Sequence, residues 1–219
     1  MKVNMIKTQK NTSLKAIILN YIAKNSKEYI FVILIFIIGL FIGVMFVNNC
    51  SDEKEKIIST YISDFIQKFT DMEQINNSNL VIDSIKCNLF LTMIIWLAGT
   101  TIIGMPLVMG LISFRGFCLG YTVSSICFSL GMEKGLVFCM LTLFLQNIFF
   151  IPALLTLGVS SIKLYKSIIT DRRKENIKVE IIRHTIISLM MSILLILSSF
   201  IENDISVRLL KIGIKFVKK

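Results

Sequence analysis

Gln146 and Asn147 stand side by side in an otherwise apolar run, with Pro152 close behind them. Amides in hydrocarbon are costly unless paired, so they turn toward the interior of a helical bundle. There they hydrogen-bond a hydroxyl of a neighbouring helix, such as Thr100, Thr101 or Ser124, or else they line a transport pathway. Pro152, and Pro106 in an earlier apolar run, would each kink a helix and free a backbone carbonyl. The structural use of the amides is favoured, because no acidic residue lies deep in any apolar run and cation-coupled transport ordinarily needs one. The lone His184 adjoins Arg183 at the edge of an apolar run, which predicts a solvated, interfacial imidazole rather than a catalytic or metal-binding one. The five cysteines show no metal-ligand spacing. Cys50 and Cys87 bracket a polar segment that a disulfide could close, with free thiols as the default reading. No phosphate-binding glycine loop, zinc-protease helix motif or nucleophile, base and acid set is present. The expectation is a protein without catalysis, cofactor or metal.

The elements that hold these residues are membrane helices. Of 219 residues, 54% are hydrophobic and 17% charged, more apolar surface than a soluble domain of this length can bury. Thirty-nine Ile against four Ala point to a low-GC bacterial genome, since helix propensity alone would favour Ala. Residues 30–47 are an unbroken apolar run of 18, close to one crossing of the hydrocarbon, and read as an uncleaved signal anchor. Residues 48–88 are polar, with Ile57, Ile58, Tyr61, Ile62, Phe65, Ile66 and Phe69 at helical spacing, an amphipathic helix outside the membrane whose stripe is Ile58, Ile62, Phe65 and Phe69. Its apolar stripe lies on the bilayer or docks a partner. Residues 89–162 carry three further spans, divided by a charged turn at Arg115 and another at Gly131–Gly135, and residues 185–201 form the fifth. The expected fold is all-α: a polytopic membrane protein of five transmembrane helices and one external amphipathic segment.

Charge sets the orientation. The tail 1–29 has six Lys and one Glu, and the loop 163–184 has seven basic and three acidic residues, whereas residues 48–88 carry seven acidic and four basic ones. The positive-inside rule places the first two in the cytoplasm and the third outside. The net charge of +10 is thereby a membrane feature, suited to anionic lipids and not to nucleic acid. Residues 202–219 read as a basic amphipathic helix along a leaflet, a placement at odds with the outside location that five spans impose. Gly39 with Gly43, and Gly116 with Gly120, have the spacing that lets helix backbones touch, either within the chain or between two copies. Gly99 and Gly104 offer similar close approaches in the second span.

The order of these features resembles the stage II sporulation protein M family of spore-forming Firmicutes. The likeness rests on Gly39-Leu-Phe-Ile-Gly43 with Asn48-Asn49, on Trp96-Leu-Ala-Gly99-Thr-Thr-Ile-Ile-Gly104-Met-Pro106, on Phe114-Arg115-Gly116-Phe117-Cys118-Leu119-Gly120-Tyr121-Thr122, and on Gln146-Asn147 followed by Pro152-Ala153. Members of the wider superfamily often have His and Glu where Gln146 and Phe150 stand here, so a proton-linked role is not carried over. The resemblance implies a scaffold of the engulfment machinery that gathers the peptidoglycan hydrolases called stage II sporulation proteins D and P at the septum. The rivals are a transporter whose pathway Gln146 and Asn147 line, and a permease-like subunit coupled to an ATPase through residues 163–178.

Overall fold

The computed structural model describes residues 20–50, 56–64, 77–101, 103–170 and 174–201, and among them there is no strand. Its main helices are α1 (Ser26–Asn48), α2 (Asn77–Gly99), α3 (Gly104–Leu130), α4 (Met132–Thr142), α5 (Phe144–Thr170) and α6 (Lys174–Ile201). Five of them, all but α4, are long and apolar enough to cross a membrane. Together they make an all-α polytopic membrane protein.

In hydrocarbon a helix satisfies its own backbone, so charge alone does not end it. That explains the main departure from the sequence reading. Helix α3 runs straight through Arg115, and the break falls instead at Thr100–Ile103. There the amide of Thr101 bonds the Ala98 carbonyl at 3.0 Å and the Thr100 hydroxyl bonds the Leu97 carbonyl at 2.7 Å. Pro106 then sits in the first turn of α3, where the missing N–H has no helical partner to lose, so it starts a helix and does not kink one. Helix α2 begins at Asn77, within the segment assigned outside the membrane, and α5 and α6 together fill most of the expected loop 163–184.

Directions follow from side-by-side pairs. Gly39 faces Ser113 and Gly43 faces Phe117, so α1 and α3 run parallel. Gly99 meets His184, while Asn88, nearer the start of α2, bonds Ser199, so α2 and α6 are antiparallel. Helices α1, α3 and α6 thus run one way through the bundle and α2 and α5 the other. Helix α5 is the central element: 56% of its apolar window is buried inside the bundle, against 22–28% for the other four spans. Val32, Ile95, Val108, Ile112, Leu154 and Leu157 close the core around it. The outward faces of α1, α2 and α6 stay apolar, as lipid contact requires.

Helix α4, with 11 residues, is about 16 Å long and cannot cross the bilayer. It packs on the outer end of α3, where Gly135 lies against the backbone of Cys127, and it leads into α5 through a bend at Leu143. Helical bonding carries through the bend: the Leu143 amide donates to Cys139 at 2.8 Å and the Asn147 amide to Leu143 at 3.1 Å.

Candidate functional site

The closest helix approach is a reciprocal glycine crossing. A Cβ on Gly39 would strike the Ser113 carbonyl and one on Gly43 the Phe117 carbonyl, while Cβ atoms on Gly116 and Gly120 would strike the carbonyls of Phe36 and Leu40. Each helix therefore lays its glycine face on the other's backbone, the arrangement by which helices associate where no hydrophobic effect drives them together. Aromatic packing extends the crossing outward, with Phe46 edge-on to Phe117 at 5.8 Å. All four glycines meet backbone of the same chain, the first of the two uses their spacing suggested. Gly104 is used differently, against the Ala98 carbonyl in the tight connection between α2 and α3.

At the end of the bundle where α1 begins and α2 ends, a polar layer ties α1 to α5 and α2 to α6. The Tyr29 hydroxyl pairs with that of Thr156 at 3.2 Å, Lys166 bonds Glu28 at 2.6 Å, and Trp96 Nε1 donates to the Thr185 hydroxyl at 3.1 Å. His184 belongs to this layer. It is 1% exposed, correcting the expectation of a solvated ring, and its Nδ1 is 2.9 Å from the Ser160 hydroxyl. Gly99 makes room for it, because a Cβ there would lie 2.7 Å from both His184 Nε2 and the Ser161 hydroxyl. The pattern that could have flagged this burial is the pair of adjacent serines on α5. Replacing His184 with Ala is expected to destabilise the purified protein by about 2 kcal/mol, because the Ser160 hydroxyl loses its buried partner and a void opens; the thermal midpoint in detergent is the readout.

Midway through the bundle lies a charge the sequence reading placed in a turn. Gly116, the next residue, packs on Phe36 and Leu40, near the centre of the first span, so Arg115 leaves its helix level with the middle of that span. Its guanidinium lies over the Phe150 ring, 4.9 Å from the centroid, and reaches within 4.0 Å of Cys87 Sγ. No carboxylate pairs with it among the described residues. With Asn88, Thr122 and Asn147 it lines a cavity of about 160 Å³. A second, almost wholly apolar cavity of about 300 Å³ shares Leu119, Leu143 and Asn147 and continues over Val123, Met140 and Ile151.

Of the intramembrane amides, Asn147 donates to the Leu143 carbonyl at 2.8 Å and so caps the bend into α5; the side chain of Gln146 lies outside the described residues. Pro152 is inside α5, and the carbonyl of that residue accepts a bond from the Thr156 hydroxyl at 2.8 Å. Cys50 and Cys87 are free thiols, the default reading of the pair. Cys87 lies beside Arg115, whereas Asn48, two residues before Cys50, pairs with Ser124 at the outer end of α3. The two thiols are thus about two helical turns apart in depth.

Residues 56–64 are helical, and Ile62 packs on the cluster of Ile126, Phe138 and Cys139 where α3 meets α4. Ile58 is also half-buried, so these two members of the expected docking stripe are turned inward. The stripe serves to seat the helix, and the face it leaves free carries Ile57 at 68% and Tyr61 at 70% exposure. Phe65 and Phe69 lie outside the described residues.

These glycines and the break before Pro106 fall within residues 32–206, which match the family described as stage II sporulation protein M. The chain belongs to the stage II sporulation protein M family. The match takes in four spans whole and most of the first, together with the external helix. As a family member the chain is a multi-pass sporulation membrane protein. No curated protein and no solved structure shows a match to it.

Proposed function

We propose that this family member is a non-enzymatic scaffold of the engulfment machinery, which gathers septal peptidoglycan hydrolases, stage II sporulation proteins D and P, so that the mother-cell membrane can migrate around the forespore. The observation that carries this reading is the external helix at 56–64. It is seated on the bundle through Ile62 and leaves Ile57 and Tyr61 exposed; the acidic balance of residues 48–88 would put that face in the compartment where wall hydrolases work. An aromatic and a branched apolar side chain, both exposed on a fixed helix, are the kind of anchors that concentrate binding energy in a small contact. The basic residues at the cytoplasmic ends of α5 and α6 would hold the scaffold against anionic lipid.

Deleting the gene in its spore-forming host and imaging septal membranes and wall tests the reading. Arrest at a flat or bulging septum with normal vegetative growth is the expected result. Normal engulfment with a defect in solute uptake would overturn it in favour of a transporter.

A further inference from the structure

We propose that the Arg115 slot is a docking site inside the bilayer for one apolar helix of a partner, a helix that carries an aspartate or glutamate near mid-membrane depth. The inference deepens the scaffold reading and rests on it, adding an intramembrane contact to the external one.

A guanidinium cannot shed its charge, and an unpaired charge near the bilayer midplane is among the most costly groups a membrane protein can hold. Here it is left with an aromatic face and a distant thiol. Among the described residues the slot lacks an anion. Asn88, Thr122 and Asn147 add polarity to the lining of the slot, but none of them brings charge. The depth selects the source of that anion. Lipid phosphates sit at the headgroup level, above the outer end of α1, whereas a carboxylate on a spanning helix is delivered at the depth of its own residue. The adjoining apolar cavity over Leu119, Val123 and Met140 would take the side chains one turn along such a helix. A second copy of this chain does not fit, because its spans carry acidic residues only toward their ends, at Glu28, Asp83 and Glu180.

The test uses the full chain in phosphatidylcholine nanodiscs with a fluorescent polyleucine peptide of about 20 residues, long enough to span. Its central residue is Glu, Gln or Leu, and association is read by energy transfer. The Glu peptide is expected to bind about tenfold tighter than the Gln peptide, with the preference lost in Arg115→Gln and largely kept in Arg115→Lys. The Lys variant guards against a folding defect, since it retains the charge. Equal binding of the three peptides, or a preference for Glu that survives Arg115→Gln, would overturn the proposal. So would a preference that vanishes when phosphatidylglycerol is added, which would assign the slot to a lipid phosphate. Purified components carry no sporulation phenotype, so failure here is separate from failure of the scaffold reading, which the deletion strain reports.

Discussion

Replacing Gly39 or Gly116 with Leu is expected to prevent α1 and α3 from closing, and to destabilise the bundle by about 3 kcal/mol or more, the upper end of what overpacking costs. The size follows from what the new side chain would strike. At both positions the obstacle is the backbone carbonyl of the opposite helix, Ser113 for Gly39 and Phe36 for Gly116, and a carbonyl cannot rotate aside as a side-chain tip can. The only relief is to move the helices apart, which also separates Phe46 from Phe117. Gly110 is the internal control, because a Cβ there meets nothing within 4 Å. Gly110→Ala should leave the midpoint of denaturant unfolding in mixed micelles unchanged or slightly raised. If Gly39→Leu unfolds at the same midpoint as Gly110→Ala, the crossing is not what holds α1 in the bundle.

The second large effect concerns the free face of the external helix. Ile57→Asp with Tyr61→Asp should leave folding intact, because both side chains are mostly exposed, yet should weaken capture of a wall hydrolase by about tenfold or more if Tyr61 is the kind of anchor that dominates small interfaces. Ile62→Asp should behave in the opposite order. It buries a charge against Ile126 and Phe138, so the helix unseats and both stability and capture fall. Denaturant midpoints and co-purification from sporulating cells separate the two classes of variant.

The number of spans was legible from apolar run length, because the thickness of the hydrocarbon imposes it. The glycine pairs were legible as close-approach sites, but not which helix each pair would meet: spacing defines a face and says nothing of its partner. The break between the second and third spans was misplaced, because Arg115 interrupts hydropathy without interrupting hydrogen bonding. The true break is written in the sequence from Gly99 to Pro106, where Thr100 and Thr101 turn their hydroxyls onto the carbonyls of Leu97 and Ala98. His184 was misread for a related reason. Its neighbour Arg183 suggested solvent, whereas its surroundings come from Ser160 on α5 and Gly99 on α2, residues far away in the chain. Ile58 and Ile62 of the apolar stripe do lie on a helix, but an apolar face seated on its own bundle and one offered to a partner have the same periodicity. Only the packing of Ile62 distinguishes them.

The measurement that bears most directly on the scaffold is photo-crosslinking from the external helix in sporulating cells. A benzoylphenylalanine is placed at Tyr61 or at Ile62, and products are probed with antibodies to the two hydrolases. The account predicts a crosslink to hydrolase D or P from position 61, and only intramolecular products from position 62. Crosslinks from position 61 to lipid alone, in cells that still gather both hydrolases at the septum, would contradict it.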